Sequence, residues 1–168
     1  MDESGERIAP PPVPVTARDT NFAGYAAVTV MRCALALDEP RLIARYFPMV
    51  SRALDFVMNL QTRYGDVVWR APDIGQPLEE VDALRAGNSS LFKSFECGLR
   101  MAEILEKPRT DWARARAGIA RALTAMPERF DRKGIDRSSY AMDWYYPVLT
   151  GVLTGAEARA RLDEGWDT

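Results

Sequence analysis

Two kinds of helical pattern alternate along the chain. From Phe22 to Leu37 nearly every residue is small or apolar, and only Thr29 and Arg32 clearly break the run. A helix apolar on all sides is expected to be buried on all sides. Asp38-Glu39-Pro40 then makes a tight turn and a fresh helix start. Over 41–61 the pattern changes. Ile43, Phe47, Val50, Leu54, Val57 and Leu60 recur at steps of three and four, with Arg45, Arg52, Asp55 and Asn59 on the other side. That spacing predicts an amphipathic outer helix, with a break at Pro48. A second pair follows. Leu91, Phe92, Phe95, Leu99 and Ala102 line one face of 89–105, and 110–126 carries a narrower stripe of Trp112, Ile119, Leu123 and Met126 opposite Arg114 and Arg121. A third pair opens near Pro147, with an inner helix over 147–153. Thr154-Gly155-Ala156-Glu157 then has capping-box spacing for a last helix to about Leu162. Between the pairs, Tyr64-Gly65-Asp66 reads as a turn and Val67-Val68-Trp69 as a short extended piece. Residues 71–87 read as a long loop with one helical turn, and 127–139 as a charged connector.

The pattern predicts an all-α fold of three helical hairpins. Each inner helix is preceded by a polar or aromatic cluster: Asp19-Thr20-Asn21, Asn88-Ser89-Ser90, and Tyr140 to Tyr146. Asn21 or Thr20 can cap the first inner helix, and Ser89 or Ser90 the second. If each hairpin folds back on itself, the inner helices run parallel and their N-terminal ends share one face. The three clusters then converge on that face.

Composition narrows the field. Net charge is -2 with both signs interspersed, so nothing points to nucleic acid. No apolar run is long enough to span a bilayer, and the charged Met1–Arg7 stretch is not a secretory signal. There is no histidine, which removes Ser-His and Cys-His schemes and most zinc sites. No metal and no cofactor is expected. Cys33 and Cys97 fall on separate helices and read as reduced core residues of a cytoplasmic protein. Pro10-Pro11-Pro12-Val13-Pro14 predicts a disordered leader over 1–18, or coding sequence whose upstream helices are missing, ahead of one domain over 19–168. The last helix stops in mid-pattern at Trp166-Asp167-Thr168.

This alternation resembles the α/α-toroid superfamilies, both the six-hairpin glycosidase-like proteins and the terpenoid cyclase and protein prenyltransferase toroids. Asp19-Thr20-Asn21-Phe22, Phe56 to Gln61, Gly65 to Trp69 and Tyr140 to Gly151 look like the central part of an actinobacterial family usually labelled prenyltransferase-like. Met142-Asp143-Trp144-Tyr145-Tyr146-Pro147 is the most specific piece. Gln61-x-x-x-Gly65-x-x-x-Trp69 is similar to the Gln-Gly-Trp turn that braces terpene cyclases, with three residues where the motif has one; a turn with a buried tryptophan is the plainer reading. A closed toroid needs about twice the helices this chain supplies. The resemblance therefore implies an incomplete toroid, roughly half a ring.

A glycoside-type site needs two carboxylates flanking the scissile bond and aromatic faces to stack on sugars. Asp143 beside Trp144, Tyr145 and Tyr146 supplies half of that, with Asp19 or Glu96 as the second carboxylate. Asp143 is also read as a helix N-cap, and the two roles are compatible. Asp143 and Asp19 are thus the candidate catalytic residues. Asn21, Tyr25, Asn88, Trp144 and Tyr145 are candidate ligand contacts, with capping the simpler role for Asn21 and Asn88. Arg70 can face an anionic group or stand in solvent. An aromatic cavity can instead hold an isoprenoid, although the cyclase Asp-x-Asp-Asp motif and the zinc-binding histidine of protein prenyltransferases are both missing. The expected partner is a small-molecule ligand, glycan first and isoprenoid second. A third reading has no chemistry: a homo-oligomer or interaction fragment joined through exposed inner-helix surface.

Overall fold

The computed structural model describes residues 19–132 and 141–166. Among these described residues six helices form three hairpins: α1 (Thr20–Ala36) with α2 (Arg41–Asn59), α3 (Arg85–Ile104) with α4 (Thr110–Ala125), and α5 (Ala141–Leu149) with α6 (Gly155–Trp166). Two single 3-10 turns, Leu78–Glu80 and Pro127–Arg129, lie in the connections. Among the described residues extended pairing is limited to two isolated bridges, Gln61 with Val67 and Asp19 with Arg70. The fold is all-α, as the patterning predicts. The 1–18 leader and the 133–140 part of the connector lie outside the described residues.

α3 is the central element. It packs against α1 on one side and α5 on another, with α4 behind it. Its buried face includes Leu91, Phe95 and Met101. Trp112 of α4 is fully buried, its ring tilted against Phe47 at 6.0 Å, and its Nε1 donates to Asp55 at 2.8 Å. Arg109 stacks on that tryptophan, 3.8 Å from the ring centroid, while pairing with Asp55 and Asp111. These hydrogen bonds raise the Arg109 pKa and lower that of Asp111.

Several helix boundaries differ from the pattern. α2 runs unbroken through Pro48, because Pro48 and Ala44 are both exposed and water can take the carbonyl that the proline leaves unpaired. α3 begins four residues earlier than its polar cluster suggests. Ser89, Ser90 and Ser94 lie inside the helix, each hydroxyl donating to the carbonyl four residues back. α5 contains the aromatic motif instead of following it, and α6 continues past Leu162. α1 is not buried all round. α2 and α3 cover only part of it, leaving Phe22 78% and Leu35 70% exposed. Cys33 falls on that open side, and only Cys97 is buried.

The charged connector has a structural task. Arg129 pairs with fully buried Asp66 at 3.2 Å, and Arg132 donates to the Val81 carbonyl at 2.5 Å and pairs with Asp82. The Asp131 N–H donates to the Ala83 carbonyl at 2.8 Å. The strap leading to α5 is thereby fastened to the loop between α2 and α3.

Candidate functional site

The N-terminal turns of α1 and α3 are held side by side by small residues. A Cβ at Gly87 would stand 2.9 Å from Asn21 Nδ2, and one at Gly24 would collide with Leu91 and come within 3.2 Å of Ser94 Oγ. The Tyr25 hydroxyl lies 3.4 Å from that of Ser90. Residue numbers rise together along the contact, so the two inner helices are parallel, as hairpin geometry predicts.

α5 closes a third side. Tyr145 meets Trp144 edge-on at 5.5 Å and Tyr146 at 5.2 Å. Burial, followed by the neighbouring Tyr25 and Tyr145 hydroxyls, pushes the Tyr146 phenol up. Tyr25 and Ser90 thus meet on the contact between α1 and α3, and α5, packed on α3, carries Tyr145 and Tyr146 within electrostatic range of Tyr25. Asp143 is in the first turn of α5 and half-buried. Its charge reaches Arg85 at the start of α3. Burial lowers the Arg85 pKa and Arg161 pushes the same way, while Asp131 and Asp143 oppose them. Arg85 also donates to the Pro127 carbonyl at 3.4 Å and lies over Phe130.

The other predicted residues divide by what they touch. Asp19 is the cap of α1, its Oδ1 accepting from Asn21 N–H at 2.7 Å and Phe22 N–H at 3.1 Å. Neither Thr20 nor Asn21 plays that part. The Thr20 hydroxyl donates to the Val68 carbonyl at 2.8 Å, and the enclosed Asn21 Oδ1 has no hydrogen-bond partner among the described residues. Asn88 is 1% exposed and fully occupied with backbone. Its Oδ1 accepts from Val67 N–H, and its Nδ2 donates to the Val67 and Leu84 carbonyls, at 2.8, 2.8 and 3.1 Å. It clamps the loop and offers no surface to a ligand. Trp144 packs on α6, where a Cβ at Gly165 would come within 2.6 Å of the ring. Glu96 is paired with Lys93 and Arg116 on α3 and α4. Arg70 is tied to Asp73 at 2.9 Å.

Ser90 and Arg85 lie against Tyr25 and within reach of Asp143, respectively, and sequence patterning places both elsewhere. Ser90 reads as a cap, and Arg85 sits ahead of Gly87, a weak helix former that hides the true start of α3. Among the described residues no cluster of three or more His, Cys, Asp or Glu side chains could hold a metal ion. No helix there is long and apolar enough to cross a membrane. A groove of about 400 Å³, lined by Leu99, Ala102, Lys107, Pro108, Thr110 and Ala113, lies at the other end of α3 and forms no part of this site.

An all-α hairpin array with aromatic residues gathered at the inner-helix starts is the class of protein that the geometry defines. No family model matches the chain. It is 34% identical over 149 residues to the MMP endo-(1,4)-3-O-methyl-alpha-D-mannosidase of Mycolicibacterium hassiacum, an alignment covering 89% of this chain and 40% of that protein. The chain thus spans well under half the length of this curated relative, and the similarity extends over most of its own length.

Proposed function

We propose that the chain forms part of the glycan-binding cleft of a carbohydrate-acting α/α-toroid protein. The reading extends to the ligand class in the relative's name, a (1,4)-linked oligosaccharide of 3-O-methylated mannose. The observation that carries it is the Tyr25–Ser90 contact between α1 and α3 with the Tyr145–Tyr146 pair of α5 in electrostatic range, on the helix whose first turn holds Asp143, with similarity to a mannosidase in support. Phenol rings with hydroxyl rims suit a methylated sugar, which has apolar faces and polar edges. In this account Tyr25 and Tyr145 contact the sugar. Asp143 is the carboxylate that meets the glycosidic bond. Asp19 holds the start of α1 and is the remaining candidate for a second carboxylate, since glycosidic cleavage uses a pair.

A thermal-shift panel tests the ligand class. Mannose-type oligosaccharides are expected to raise the melting temperature, as any ligand of the native state alone does. Prenyl diphosphates are expected to leave it unchanged. Stabilisation by prenyl diphosphates alone would replace the glycan reading with the isoprenoid one.

A further inference from the structure

The extended piece after Gly65 fastens an exposed aromatic residue to the first turn of α1, the helix that carries Tyr25. The Thr20 N–H donates to the Trp69 carbonyl at 3.0 Å, and the Thr20 hydroxyl to the Val68 and Trp69 carbonyls at 2.8 and 3.1 Å. The Trp69 N–H donates to the Asp82 carbonyl at 2.9 Å, and Asp19 and Arg70 form a bridge beside it. Trp69 is therefore fixed on both sides of its backbone against the first turn of α1. Its side chain does not join the core: the residue is 36% exposed. Arg70 lies over the ring, 5.6 Å from its centroid, and is immobilised by the Ala71 carbonyl and Asp73. Phe22, two residues along α1 from Thr20, is 78% exposed. Tyr25 is five residues from Thr20, about 7.5 Å deeper along the helix axis.

We propose that Trp69 is an outer stacking platform for a sugar ring, reached by oligosaccharides longer than those the tyrosine junction holds alone. This rests on the glycan reading and adds a second contact, at the rim. A rigidly held indole gives up little conformational entropy on binding, and its flat face matches the C–H face of a pyranose. The position of Trp69 also gives the loop between α2 and α3 a role in ligand length.

Calorimetry with a short and a long mannose-type oligosaccharide, on the full chain, tests this. Trp69→Ala is expected to weaken the long ligand about tenfold and leave the short one unchanged. Trp69→Phe is expected to restore most of the loss. Tyr145→Ala is expected to weaken both ligands. The anchoring bonds are all backbone at residue 69, so the alanine variant keeps them, and an unchanged melting curve verifies its fold. Equal affinity of Trp69→Ala and wild type for the long ligand would overturn the proposal and spare the glycan reading. Failure of the wild type to bind either length would overturn both.

Discussion

At the scale of single residues, the connection between α2 and α3 carries the strictest demands. Gly65 has φ of 101°, and an added Cβ would collide with the Gly118 carbonyl of α4. Gln61 Nε2 ties the same turn down, donating to the Gly65 and Ala115 carbonyls at 2.8 Å each. Gly65→Ala is expected to lower stability by roughly 2 kcal/mol or more, seen as an earlier urea midpoint. Asn88→Ala leaves the buried Val67 N–H and carbonyl without their partner and is expected to cost about 3 kcal/mol by the same measurement. The turn at Gly65 was legible from Tyr64-Gly65-Asp66, whereas bracing by Gln61 entered only through the resemblance to the cyclase turn, whose spacing the chain departs from. The fate of Trp69 was not: it stays at the surface, and the buried tryptophan is Trp112. Asn88 misled for a related reason. Asn at a helix start reads as a cap, and only the fold shows that a loop 21 residues away needs its amide.

At the scale of elements, the inner and outer helices were legible because their hydrophobic periods differ. Their ends were not, because Ser89, Ser90 and Ser94 satisfy themselves inside a helix. The even burial expected of α1 fails because an apolar sequence says only that a helix can be covered, and here Phe22, Leu35 and Leu37 are not. The 127–139 stretch read only as a charged connector, and its charges at Arg129 and Arg132 fasten it to the loop between α2 and α3. Arg129→Met strands the buried Asp66 carboxylate and is expected to cost about 3 kcal/mol, with part of the loss recovered when Asp66→Asn is added. The Arg109–Asp111 pair predicts a pH effect. Arg109 lowers the folded-state pKa of Asp111, so the ionised form stabilises the fold. That stabilisation is complete above the unfolded value of about 3.9. It is lost as the pH falls from there through the lowered folded-state pKa. The stability gap between wild type and Asp111→Asn is therefore expected to be largest near neutral pH and to close in acid. Its size is expected to stay under about 1 kcal/mol, as for other partly exposed pairs.

At the scale of the whole molecule, parallel inner helices are the organising fact. They set the N-terminal turns of α1 and α3 side by side, with α5 packed on α3, and hairpin spacing alone was enough to foresee the pairing of α1 with α3. What spacing could not show is which polar residues remain open to a ligand, since Asn88 and Glu96 are each engaged by the protein itself. The account stands on the junction as a glycan site. The most direct test is calorimetric titration with a (1,4)-linked 3-O-methylmannose oligosaccharide, comparing wild type, Tyr145→Ala and Tyr46→Ala, the last a 38% exposed tyrosine on outer helix α2. The account predicts measurable binding by wild type, an affinity about tenfold lower for Tyr145→Ala, and no change for Tyr46→Ala. No binding by wild type, or equal losses in the two variants, would contradict it.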